Sequence, residues 1–250
     1  MKSKLVACLA AIALAVTIGG GLTGASAAGR SSTQTSKPGA CDAYNPVLDP
    51  ANFVGTVDNP YFPLPVGRTW VYRGIKNGQS QIDRVTVTQK TKVLAGITAT
   101  TVFDVATHRG TLLERTFDWY AQDRQGNVWY LGENTTAYLP GGQKDKSGSW
   151  QAGVEGAKPG IIMEANPQIP DAYRQECRAG KAEDTAWIVG TQGSVKVPYG
   201  TLRHTLTSLE TTRIEPGVVD EKIYAPGIGI VREQALAGDT ELARLVSVTG

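Results

Sequence analysis

Arg84-Val85-Thr86-Val87-Thr88 alternates polar and apolar side chains with a period of two. Successive side chains of a strand point to opposite faces, so this pattern predicts a half-buried strand. The reading extends outward from there. Thr69-Trp70-Val71-Tyr72 follows a Pro/Gly turn at Pro65-Val66-Gly67 and predicts the preceding strand. Residues 97–106, rich in Thr and Val, and residues 112–122 predict two more, and 127–132 is a short aromatic strand. Further strands are expected at 186–189, 194–198, 202–211, 222–225, 230–234 and 242–248, with turn signals at Lys76-Asn77-Gly78, 123–126, 190–193 and Pro226-Gly227. Helical periodicity is nearly absent; residues 170–180 have room for one turn or two. Residues 141–170 carry many Gly and Pro and few β-branched runs, which predicts a long loop or lid. The expected fold is mainly β: a single curved antiparallel sheet, half-barrel or barrel-like meander, with a long Gly/Pro-rich insertion.

The N-terminal residues bear on compartment. Lys2 and Lys4 precede an apolar run at 5–18, and Ala25-Ser26-Ala27-Ala28 offers small residues at a cleavage position. Residues 1–28 therefore read as a signal peptide, and a secreted, periplasmic or cell-surface location is expected. The run is shorter than the about 20 residues of a membrane-spanning helix. Leu5-Val6-Ala7-Cys8 also resembles a lipoprotein signal, but lipidation at Cys8 would leave almost no apolar segment ahead of the cleavage point. Residues 29–40, rich in Ser, Thr, Gly and Pro, read as a disordered linker. Residues 41–250 suit one β domain.

Loss of the signal lowers the Lys and Arg count from 25 to 23, against 23 Asp and Glu, so the mature chain is formally neutral. Nucleic-acid binding rests on a net basic surface, and no such surface is expected here. Cys41 and Cys177 survive cleavage and are expected to form one disulfide in an oxidising compartment; two free thiols are the alternative.

Two segments carry a resemblance. Residues 61–74, beginning Tyr61-Phe62-Pro63-Leu64-Pro65, resemble the opening of several exported bacterial families, and residues 224–233, beginning Tyr224-Ala225-Pro226-Gly227, resemble their closing hairpin. Those families resemble the half-barrel of periplasmic lipoprotein carriers. The resemblance implies a curved antiparallel sheet with an apolar concave side, and it carries no catalytic residues.

Candidate chemistry concentrates at 114–133. With Asp123-Arg124-Gln125-Gly126 as a four-residue loop, Tyr120 faces Trp129 and Asp118 faces Leu131. Alternation then puts Glu114, Thr116, Asp118 and Tyr120 on one side with Trp129 and Glu133. The other side carries Leu113, Phe117, Trp119, Ala121, Val128 and Tyr130 as a core face. A solvated outer face is the first expectation for the acidic side. Diagonal carboxylates about 7–8 Å apart also suit acid–base work on a sugar bond, or oxygen ligands around a hard cation such as calcium. If the chain is an enzyme, Asp118 with Glu114 or Glu133 would be catalytic. Tyr120, Trp129, Tyr138 and His204 are the candidate ligand-binding residues, with His204 expected to point inward because it alternates with Leu202 and Leu206.

Neither a G-x-S-x-G elbow, nor H-E-x-x-H, nor Cys/His zinc spacing is present, so no metal or other cofactor is expected. The leading expectation is a non-enzymatic exported module holding an apolar or amphipathic small molecule in its concave sheet. A secreted carbohydrate-active hydrolase and a cell-surface interaction protein without a small ligand are the alternatives.

Overall fold

Alternation over residues 69–138 builds five long strands and one continuous antiparallel meander. The computed structural model describes residues 41–76 and 78–250. After a short pairing strand, β1 (Phe53–Val54), come β2 (Thr69–Lys76), β3 (Gln79–Leu94), β4 (Ile97–His108), β5 (Thr111–Asp123) and β6 (Val128–Tyr138). Three short strands follow, β7 (Lys144–Asp145), β8 (Trp150–Gln151) and β9 (Lys158–Met163), then β10 (Ala172–Arg174) and β11 (Glu176–Cys177). The chain ends on β12 (Asp184–Val197), β13 (Gly200–Thr212), β14 (Val219–Ala225), β15 (Gly229–Ala237) and β16 (Glu241–Thr249). Each strand expected from the sequence lies within or across one of these, and the expected pair at 186–198 is a single bulged strand, β12.

All strands belong to one antiparallel sheet. It curls until its two ends nearly meet. β10 pairs with β12 and the following β11 pairs with β9, so one run of chain borders both ends of the sheet. Backbones approach closely there: a Cβ on Gly160 would lie 2.2 Å from the Arg174 carbonyl oxygen. The result is a barrel with one unsealed seam.

Two expectations change at this point. Residues 141–170 do not form a lid. β7 and β8 run along β6, and β9 is part of the wall. Two-residue strands and Pro159-Gly160 inside β9 leave no period to detect. Residues 170–180 hold β10 and β11 rather than helical turns. The signal and linker expectations at 1–40 lie outside the described residues.

The segment before β2 is a strap. Cys41 is bridged to Cys177 with 5.6 Å between their Cα atoms. Lys158 donates to the carbonyls of Cys41 and Tyr44. β1 adds to the edge of β5. Asn59 then donates its side-chain amide to the carbonyls of Gly126 and Glu164. Phe62 and Leu64, both buried, enter the barrel mouth. The strap closes on the β14–β15 turn, where Gly227 donates to the Pro60 carbonyl.

The core divides between two sides of the sheet. Inside the barrel lie Trp70, Tyr72, Val85, Val102, Tyr120, Tyr130, Leu206, Tyr224 and Leu245. Outside, Trp119, Ala121, Leu131, Leu94 and Ile97 form a second cluster covered by Leu48 and Phe53 of the strap. The β5–β6 hairpin is therefore buried on both faces. Its acidic side, expected to be solvated, is the barrel interior.

Candidate functional site

The hairpin register explains how the acids come to lie inside. The loop is one residue shorter than expected: Asp123 and Asn127 bracket it, the Asp123 N–H donates to the Asn127 carbonyl, and Gly126 sits at φ 97°. Tyr120 consequently faces Tyr130, and Ala121 faces Trp129. A bulge at Leu131–Gly132 then restores the phase and sets Asp118 directly opposite Glu133. Only glycine suits the bulge, with φ at 133° and a Cβ that would lie 2.4 Å from the Trp150 carbonyl oxygen. Trp129 and Glu133, expected on one side, are thus on opposite sides. Continuous alternation cannot anticipate that change of parity.

Glu114, Asp118 and Glu133 are all buried in the interior. They join a belt formed with Asp83 (β3), Asp104 (β4), Glu176 (β11), Asp184 (β12), Glu210 (β13) and Glu233 (β15). Among the described residues the buried cations are Lys76 and Lys222. Lys222 Nζ lies 2.7 Å from Glu210 and 3.8 Å from Glu233, and Lys76 Nζ lies 2.5 Å from Glu241. Carboxyls therefore outnumber cations. Burial, the largest cause, pushes Glu114 up to about 8 and Asp118 and Asp184 up to about 7. Burial followed by neighbouring carboxyls also raises Asp104, Glu133 and Glu176 well above the usual range. Burial raises Glu233 as well, against the pull of Lys222.

Lys222→Ala is expected to lower stability by about 3–5 kcal/mol at pH 7.5, because Glu210 loses its buried ion-pair partner. Urea unfolding measures this. A loss below 1 kcal/mol would show that the lysine holds nothing in place.

Above the belt, at the strap end of the barrel, is an apolar pocket. Phe62, Pro63, Leu64, Trp70, Tyr72, Val85, Val102, Tyr120, Ile228 and Ile230 wall it, and Asp118 is its charged lining residue. Trp70 and Tyr72 are held by donating to the carbonyls of Ile228 and Ile230 at 2.8 Å each. Asp118 accepts the Tyr130 hydroxyl at 2.7 Å. A row of rings fills the space behind: Phe62 to Tyr120 at 5.1 Å, Tyr120 to Tyr130 at 4.9 Å and Tyr130 to Trp150 at 5.3 Å. The cavity is small, about 40 Å³. In place of the broad hollow expected of a curved sheet, the described residues form a small chamber at the mouth lined by Phe62 and Leu64.

The other expected ligand residues scatter. Tyr120 lines the chamber. Trp129 is outside, half-buried, its indole donating to Asp123 at 2.9 Å. Tyr138 is outside near Arg115 and Lys144. His204 is exposed, not inward: it stands at φ 55° with Nδ1 2.7 Å from the Gln192 side-chain oxygen. The bulged pairing of β12 with β13 breaks the alternation on which its orientation was judged. The sequence reading missed Trp70, Tyr72, Val85 and Val102 as pocket residues. Their inward parity was legible, but their proximity to Asp118 follows from barrel closure.

The arrangement offers little to a glycan. Asp118 lines the chamber, but Glu114 and Glu133 are buried away from it, and Trp129 packs on the outer side. Among the described residues, no group of three or more His, Cys, Asp and Glu side chains is placed to hold a metal ion. No helix of the described residues is long and apolar enough to cross a membrane.

No protein-family model matches the chain, and no curated protein matches it. A crystal structure described as a putative lipoprotein from Parabacteroides distasonis is similar over 76% of this chain and 99% of that one, with a TM-score of 0.41 and 13% identity. At that level the likeness carries no argument about function.

Proposed function

We propose that the protein is an exported, non-enzymatic binding module that holds a small amphipathic molecule in the mouth chamber. The supporting observation is the chamber itself: aromatic and aliphatic walls converging on the Asp118 carboxyl, the usual form of a small-molecule site. The Lys2, Lys4 and 5–18 signal supports export. The size of the chamber limits the ligand to a short chain or single ring unless the Phe62–Leu64 strap moves aside.

1-Hexanol is a suitable probe. Titration into the protein is expected to give saturable binding by calorimetry. Ile228, half-buried at the rim, offers a blocking variant: Ile228→Trp is expected to weaken hexanol about tenfold while leaving the melting temperature within a few degrees. Absence of saturable binding, or unchanged affinity in the variant, contradicts the reading.

A second reading has its own observation. Ile169, Pro170, Trp187, Val189, Leu209 and Val219 line an apolar groove on the outer surface, with Trp187 38% and Ile169 54% exposed. Apolar grooves of this kind serve surface contacts. Self-association that is abolished by Trp187→Ser would favour that role.

A further inference from the structure

We propose that the mouth chamber selects ligands bearing a positively charged amine over neutral or anionic ligands of the same shape. The inference rests on the reading of the chamber as a ligand site and names the class of ligand it takes. Its basis is the distribution of charge around the chamber floor.

Asp118 is the charged group among the lining residues. Its orientation is fixed by the Tyr130 hydroxyl. The charged groups behind it are carboxyls on every neighbouring strand: Asp83 on β3, Asp104 on β4, Glu114 on β5 itself, Glu133 directly opposite on β6, and Glu176 on β11. Glu133 adds an observation of its own, since it is fully buried and its Oε2 finds no hydrogen-bond partner among the described residues.

The two buried lysines offset these carboxyls only in part: Lys76 acts on Glu114, and Lys222 on Tyr120 and Glu176, but each already has carboxylate partners of its own. Lys222 is engaged by Glu210 and Glu233, and Lys76 by Glu241 at the far end of β2. A carboxylate ligand entering the chamber would meet the Asp118 carboxyl at its lining and more acids than cations behind it, in a setting where water screens poorly. An ammonium group would instead meet a carboxyl ready to ionise and accept a charge-assisted hydrogen bond. The apolar walls would cover its hydrocarbon part. Because Asp118 releases its proton near pH 7, the preference for an amine grows as pH rises from 6 to 8.

The test compares three matched probes, hexylamine, 1-hexanol and hexanoate, at pH 8 by calorimetry. Hexylamine is expected to bind at least about tenfold more tightly than hexanol, the scale of one charge-assisted bond, and hexanoate more weakly than either. Asp118→Asn is expected to bring the ratio of amine to alcohol affinity down to about one. Should that variant misfold, the wild-type pH series decides, with the ratio of amine to alcohol affinity expected to rise between pH 6 and 8. Saturable hexanol binding with no amine preference, or tighter hexanoate, overturns the selectivity and leaves the chamber reading standing. Failure of all three probes to bind overturns both.

Discussion

Removal of the Cys41–Cys177 bridge, by Cys41→Ala with Cys177→Ala, is expected to lower stability by on the order of 5 kcal/mol. The cysteines are 136 residues apart in sequence, and the chain-entropy estimate for a closed loop of that length is near this value. The location adds to the effect. Cys177 belongs to β11, which borders the unsealed seam, and Cys41 begins the strap. The strap brings Phe53 over the outer cluster and Phe62 and Leu64 into the mouth. Freed at its start, it retains the Lys158 contacts and the β1 pairing, so the fold is loosened rather than abolished. Denaturant unfolding of the double variant measures the loss. A change below about 1 kcal/mol would mean that the strap and seam hold without the bridge.

The second large effect concerns pH. Glu114, Asp118 and Asp184 have folded-state values of about 8, 7 and 7, and Asp104, Glu133, Glu176 and Glu233 are also raised. Unfolded Asp and Glu release their protons near pH 4. Between pH 4 and pH 8 the folded chain therefore holds protons that the unfolded chain has lost. Stability from these groups is full below pH 4 and declines as pH rises through the folded values. The melting temperature is expected to fall by on the order of 10 °C between pH 5 and pH 8.5. A protein stabilised chiefly by paired carboxylates shows the opposite trend on the acid side. A flat or rising profile over this range would place the belt in water rather than in the core.

The strands were legible because their side chains obey a simple period. Arg84 to Thr88 alternates, 97–106 is rich in Thr and Val, and both lie in long strands. The site was only half legible. Glu114, Asp118 and Glu133 stood out as a group, and they do converge. Their side was misjudged because polarity normally marks the solvent face, whereas this barrel turns its acids inward and covers its apolar outer face with Leu48 and Phe53. Those covering residues lie about 40 or more positions upstream of the cluster they protect. The bulge at Leu131–Gly132 and the irregular β12–β13 pairing each shifted a residue, Trp129 or His204, away from its expected neighbours. Bulges depend on close backbone contacts such as Gly132 against Trp150, which no local pattern encodes.

Methyl-resolved NMR during a hexylamine titration tests the central claim most directly. The account predicts saturable shifts concentrated at Leu64, Val85, Val102, Ile228 and Ile230, the methyl-bearing walls of the mouth chamber. Shifts confined to the outer groove around Ile169, Val189 and Leu209, or no shifts at all, would contradict it.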